Sequence, residues 1–312
     1  MEKKTKLFVL TGFLGAGKTT LLLDLLDKMQ EEKIGVIQNE FGKISIDGDI
    51  IRRGDIEMRE VSRGSIFCTC LKLHFVSALV EMSDMGLDYL FVESSGLADP
   101  SNLEEILGAV EAAKKGEQPY QLCGVICLVD GVDFLKDAAE LEAVQRQVVH
   151  CNIALLNKCD LIDQAQIDQA RRQIRQLNEN CLIVETTFGR LDPALLLTDW
   201  SDYAWAADED TTNTAETKPK TFSLEYEGDA PKEKLDAFLQ ALLADCYRIK
   251  GFCLLDGAWN QVDVVGNRID YKPCPEKPVS QLIFISRTGI QLIRRINDQW
   301  NSILNRPVKL KN

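Results

Sequence analysis

The stretch Gly12-Phe13-Leu14-Gly15-Ala16-Gly17-Lys18-Thr19 fits the pattern G-x-x-x-x-G-K-[ST] and follows directly on the apolar run Leu7-Phe8-Val9-Leu10. Such a loop has one workable setting, between a strand and a helix. Its glycines let the backbone wrap so that N–H groups converge on phosphate oxygens, and the following helix adds the positive end of its dipole. A lysine in this place reaches the β and γ phosphates, and the next hydroxyl ligates Mg²⁺. Gly12, Gly15, Ala16, Gly17, Lys18, Thr19 and Thr20 are therefore the expected phosphate-binding residues.

The rest of the first two thirds agrees with that setting. Short apolar runs recur at Ile34–Ile37, Tyr89–Val92, Val125–Val129, Ile153–Leu156 and Leu182–Val184. Helix-period segments lie between most of them, at Phe75–Met85, Leu103–Ala113, Ala138–Val149 and Gln164–Leu177. Continuous apolar strands alternating with helices predict a mostly parallel sheet with helices on both faces, in an α/β P-loop domain of about 200 residues. Residues 206–220 carry no large apolar side chain, so they cannot offset their ordering entropy and are expected to be a linker. Beyond it, strand-like and helix-like segments run β-α-β-β-α, with a last strand at Gln281–Ser286 and a last helix at Gly289–Leu304. That order predicts a smaller α+β domain of ferredoxin-like type. The expected division is 1–205, 206–220 and 221–312.

Two further motifs belong to the same chemistry. Asn157-Lys158-Cys159-Asp160 has the form N-K-x-D and follows an apolar run. A carboxylate there accepts from both N1–H and the exocyclic amine of guanine, a donor pair adenine lacks. An ordinary charged loop could supply the tetrapeptide; behind a late strand of a P-loop domain it favours GTP over ATP. Asn157 can bond the base edge and the nearby loop, and the Lys158 stem can lie along the ring. Glu93-Ser94-Ser95-Gly96 ends the run Tyr89–Val92. Glu93 can hold Mg²⁺, with a water between because Glu is one methylene longer than Asp, and the Gly96 N–H can meet the γ phosphate. The same tetrapeptide would also serve as a cap cluster for a helix after Pro100.

Charge limits the partners. Lys and Arg number 36 against 48 Asp and Glu, a net charge of −12. Residues 221–312 hold 13 basic and 11 acidic residues and the preceding residues 23 and 37, so the charges are +2 and −14. A polyanion-binding surface needs clustered cations, which disfavours nucleic acid as the main partner. No apolar run approaches the length of a membrane span, and the N-terminal apolar run is too short for a secretory signal. The 10 cysteines are then expected to be reduced thiols in a cytoplasmic protein. Cys123 and Cys127 read as small core hydrophobes and Cys159 as incidental within its motif.

With these residues in place, the sequence resembles the CobW-type P-loop GTPases, relatives of UreG and HypB. The resemblance is carried by GFLGAGKTTLL, VIQNEFGKISIDGDII, ESSGLADP, NKCDLI and TTFGRLDPALLL, and in the tail by RIKGFCLLDGAWNQVDVVGN and QLIFISRTGI. It implies a GTPase of slow intrinsic rate that couples nucleotide state to delivery of a metal or metallocofactor. It also implies that Gln38–Ile51 is the first switch, with Glu40 near the Mg²⁺ and γ phosphate; composition alone would make Glu40 a solvated loop carboxylate.

One motif departs from the family. Members usually carry C-x-C-C after Asn-Gly, whereas here the stretch is Arg63-Gly64-Ser65-Ile66-Phe67-Cys68-Thr69-Cys70. Ser65 and Phe67 replace two expected thiols. Cys68 and Cys70 form a new C-x-C pair with His74 four residues on, a set that could hold Zn²⁺, Co²⁺ or Ni²⁺ if another residue, chain or client completed it. The alternative is two small half-buried thiols and a surface histidine. The expectation is thus a GTP/GDP switch whose unaided rate is raised by a client metalloenzyme or by homodimerisation. The rival is an accessory GTPase that remodels a client enzyme, one using a corrinoid for example, without binding free metal. A P-loop kinase is the third reading, and N-K-x-D argues against it.

Overall fold

A computed structural model describes residues 4–40, 57–62, 72–198, 200 and 219–311, excluding the side chains of 39, 40, 57–62 and 72. The chain divides into two compact units, Met1–Thr217 and Lys218–Asn312.

In the first unit the order is β1 (Thr5–Gly12), α1 (Lys18–Lys28), β2 (Ile34–Glu40), β3 (Glu57–Ser62), α2 (Lys72–Ser83), β4 (Tyr89–Glu93), α3 (Leu103–Ala113) and β5 (Tyr120–Asp130). It continues through α4 (Phe134–Glu140), α5 (Glu142–Val149), β6 (Ile153–Asn157), α6 (Gln164–Leu177) and β7 (Leu182–Glu185). The seven strands form one sheet in the order β3-β2-β4-β1-β5-β6-β7, and every ladder is parallel. Helix α1 buries the stripe Leu21, Leu22, Leu25 and Leu26 against Phe8 and Leu10 of β1, Phe91 of β4 and Leu128 of β5. The alternate strand residues Val9, Val92 and Val125 are fully buried too, so both sheet faces are covered. The chain leaves β1 for β2 on one side and leaves β4 for β5 on the other. The loops at the carboxyl ends of these central strands therefore diverge and open a crevice, the place where such sheets hold ligands.

One expected helix is two. The apolar period over Ala138–Val149 continues, but Leu141 is extended (φ −129, ψ 115) and separates α4 from α5. At the start of α6, Asp163 accepts from Gln166 N–H at 2.8 Å and Gln166 reaches back to Asp163 N–H at 3.0 Å, a capping box.

The second unit runs β8 (Thr221–Tyr226), α7 (Lys232–Gln240), β9 (Cys246–Leu255), β10 (Ala258–Val265), β11 (Arg268–Pro273), β12 (Ser280–Ser286), α8 (Gln291–Ile303) and β13 (Lys309–Lys311). Its sheet is antiparallel, ordered β11-β10-β9-β12-β8-β13. Without β10 and β11, the chain reads β-α-β-β-α-β, a ferredoxin-like order; the sequence reading, β-α-β-β-α, lacked the closing strand β13. The two added strands extend its β9 edge through tight hairpins. Leu255 pairs with Ala258 across Asp256-Gly257, both at positive φ, a pairing that Asp-Gly favours. Phe238, Ile296 and Trp300 from the two helices bury against Phe222, Leu224 and Phe284 of the sheet.

Candidate functional site

The loop from Gly12 to Lys18 joins the central strand β1 to α1. Two of its glycines are required by space as well as by conformation. Gly12 sits at φ +133, and a Cβ there would come 2.3 Å from the Leu128 carbonyl oxygen. Gly17 sits at φ +107 as the N-cap of α1, and a Cβ would lie 2.6 Å from the Asn157 amide. Lys18 is buried, its ammonium donating to the carbonyls of Gly12 at 2.7 Å and Phe13 at 3.1 Å, so its charge lies along the loop. Gly15 and Ala16 complete the curve, and Thr20 is exposed on the first turn of α1.

Thr19 and Glu93 meet. The Thr19 hydroxyl donates to Glu93 Oε1 at 2.7 Å, while the amide of Gln38 donates to Oε2 at 2.9 Å. Glu93 and Gln38 are 6% and 2% exposed, so the carboxylate is held between α1 and β2 at the mouth of the loop. A hydroxyl and a carboxylate at one place are hard oxygen donors of the kind Mg²⁺ takes. Glu40 closes β2; its side chain lies outside the described residues.

The segment after β4 is clamped by α5. Gln147 donates to the carbonyls of Gly96 at 3.2 Å and Ala98 at 2.9 Å, and Arg146 donates to Asp99 at 2.8 Å. Asp99 also accepts from Ser101 N–H at 3.0 Å, capping a short helical turn at Pro100–Asn102. Burial pushes the Asp99 carboxyl up, but the Ser101 N–H and the Arg146 guanidinium outweigh it and hold it below its ordinary value.

At the end of β6, Asn157 bridges two loops: its amide donates to the Ala16 carbonyl at 2.8 Å and its oxygen accepts from Gly189 N–H at 2.9 Å. Lys158 is left-handed (φ 65), and its ammonium bonds the buried Asp130 carboxylate at the end of β5. The exposed carboxylate Asp160 follows on a single helical turn. Burial pushes the Cys159 thiol up, the Thr186 backbone bond opposes this, and the nearby Glu185 and Asp160 carboxylates add to the rise. Its thiol is thus kept protonated, in keeping with an incidental role.

The structure therefore brings the residues of the loop, Thr19, Glu93 and Asn157 around one crevice, with Gly96 packed on Leu14 beside it. Sequence reasoning placed Gln38 only at the start of the first switch and missed Asp130, Gln147 and Gly189; each is a partner of a motif residue far away in the chain. Cys68 and Cys70 lie outside the described residues, and His74 is exposed on α2. Cys123 and Cys127 are buried on β5. Among the described residues, no group of three or more His, Cys, Asp or Glu is arranged to hold a metal ion, and no helix is long and apolar enough to cross a membrane.

Residues 6–197 match the family described as CobW/HypB/UreG, nucleotide-binding domain, and residues 220–303 match the cobalamin synthesis protein cobW C-terminal domain. The zinc chaperone YjiA of Escherichia coli is 29% identical over 309 residues, covering 91% of this chain and 93% of that protein. The zinc-regulated GTPase metalloprotein activator 1 of Schizosaccharomyces pombe is 32% identical over 219 residues, covering 66% of this chain and 50% of that one. A crystal structure of Escherichia coli YjiA GTPase aligns over 96% of this chain and 99% of its own, with a TM-score of 0.48 and 23% identity. With the family match spanning most of the first unit and a second match spanning most of the tail, the chain belongs to the CobW/HypB/UreG family.

Proposed function

We propose that this protein binds and hydrolyses GTP and couples its nucleotide state to delivery or insertion of a metal or metallocofactor in a client protein. The observation that carries the reading is the convergence on one crevice of the glycine loop with Lys18, the Thr19–Glu93 pair, and Asn157 tied to Ala16. The loop N–H groups from Gly15 to Thr20 and the Lys18 ammonium hold the β and γ phosphates, and Gly96 N–H meets the γ phosphate. Asp160 reads guanine, Lys158 lies along the ring, and Asn157 locks the base loop to the phosphate loop. Thr19 and Glu93 are the residues that hold Mg²⁺, which when bound neutralises charge on the transferred phosphoryl group. Catalysis by this chain is then positioning and charge stabilisation. The rate without a client or a second copy of the chain is slow.

Zinc leads Co²⁺ and Ni²⁺ as the cargo, because the Escherichia coli and Schizosaccharomyces pombe relatives are named for it. Cys68 and Cys70 are the proposed ligands in this chain, with Glu40 in the first switch sensing the γ phosphate. A cytoplasmic location fits the free thiols. A second reading is favoured by Ser65 and Phe67, which stand where the family carries two thiols: the protein remodels its client by GTP turnover without holding free metal.

Chelator-competition affinities for Zn²⁺, Co²⁺ and Ni²⁺, measured without nucleotide, with Mg·GDP and with a non-hydrolysable Mg·GTP analogue, separate the two. Affinity that changes with nucleotide and is lost in Cys68→Ser or Cys70→Ser supports the metal switch. Weak binding indifferent to both supports client remodelling.

A further inference from the structure

We propose that Gln38 is a positioning residue for the Mg²⁺-binding carboxylate, fixing Glu93 from the strand that leads into the first switch. This rests on the proposed role of Glu93 at a Mg²⁺·GTP site.

β2 and β4 are parallel neighbours, and Gln38 is paired directly with Glu93, so their side chains stand on the same face. Gln38 is 2% exposed, deep enough that its amide must find partners within the protein. Its Nε2 donates to Glu93 Oε2 at 2.9 Å while Thr19 donates to Oε1 at 2.7 Å. The two bonds take one oxygen each and come from different elements, which fixes the carboxylate plane. Thr19 is itself a proposed Mg²⁺ ligand, so its bond to Oε1 is exchanged when the ion binds. The bond from Gln38 need not be, and it leaves Oε1 aimed at the loop. A neutral amide suits this place. An apolar side chain would leave Oε2 buried without this donor, and a carboxylate would place two acceptors of like charge in contact.

The position gives the bond a second consequence. Gln38 is followed by Asn39 and Glu40 at the end of β2, and by the stretch 41–51 read as the rest of the first switch. A shift of that strand end would be felt at Glu93 through one hydrogen bond.

The test is a Mg²⁺ titration of fluorescent GDP binding to the full-length chain, for the wild type, Gln38→Met and Gln38→Ala. The same affinities are measured in EDTA, and thermal unfolding in EDTA checks the fold. Supporting residues of metal sites typically cost ten- to hundredfold in metal affinity, so the Mg²⁺ midpoint should rise at least about tenfold in both variants. GDP affinity in EDTA should stay near wild type, and unfolding should stay cooperative although the lost donor lowers its midpoint. Unchanged Mg²⁺ midpoints beside a normal wild-type response overturn the proposal and leave the Mg²⁺·GTP reading standing. Equal losses in EDTA and in Mg²⁺ also overturn it, making Gln38 a packing residue. A wild type whose GDP binding ignores Mg²⁺ instead refutes the underlying role of Glu93.

Discussion

Replacing Arg146 with methionine removes the guanidinium from Asp99 and keeps most of the side chain's apolar stem. Asp99 is 0% exposed and Arg146 lies 2.8 Å from it with 11% of its side chain exposed. Breaking a buried pair from one side strands a charge and costs about 3–5 kcal/mol, and the residual exposure of Arg146 puts this case near about 3. For a unit of roughly 200 residues that corresponds to a fall in Tm of about 6–12 °C. Asp99→Asn should cost less, because an amide oxygen still accepts from Ser101 N–H. The double variant should then recover about 1–2 kcal/mol relative to the sum of the singles. The pH dependence has a definite sign. The Asp99 carboxyl is held below its ordinary value, so its contribution is present above about pH 4 and is lost as pH falls through the lowered value. The gap between wild type and Arg146→Met should therefore close on acidification. Calorimetric and urea unfolding of the four proteins measures all of this. Additive single variants, or a gap that persists with Asp99 protonated, would show that the Arg146–Asp99 pair does not carry this stability.

Three further outcomes follow from the site. Asn157→Ala leaves a buried carbonyl and N–H unpaired, each worth about 1–3 kcal/mol, so guanine-nucleotide affinity by calorimetry should fall at least tenfold; unchanged affinity would contradict the bridge. Gly12→Ala puts a Cβ 2.3 Å from the Leu128 oxygen, so equilibrium dialysis should find nucleotide binding abolished or the unit unfolded, whereas a folded, binding protein would show that the loop can yield. Lys158→Met should weaken GDP and a GTP analogue by the same factor, about tenfold, because it acts at the base end, and competition binding would expose any bias toward one nucleotide.

The parts of the site that were legible in the sequence are those encoded over a few adjacent residues. The strand–loop–helix at Leu7–Leu26 declares itself because glycine, lysine and threonine must stand at fixed offsets for the backbone to meet phosphate. The buried strands are equally plain, since a two-sided parallel sheet makes each strand a continuous apolar run. The bonds made by Gln38 and Asp130 were not legible, because their partners Glu93 and Lys158 lie 55 and 28 residues away and only the sheet brings them together. The break at Leu141 was hidden because both helices keep one apolar period across it. In the tail, β11 is short and half-exposed, so its alternation is weak; the Gly266-Asn267 turn before it was the available signal.

The proposed function stands or falls on whether the crevice selects a guanine nucleotide. Its most direct measurement is competition of GDP and ADP for a fluorescent guanine nucleotide on the full-length chain, beside Asp160→Asn. Two hydrogen bonds from one carboxylate to guanine predict a preference for GDP of at least about a hundredfold, collapsing in the variant. Equal displacement by ADP and GDP in the wild type would show that Asp160 does not select the base.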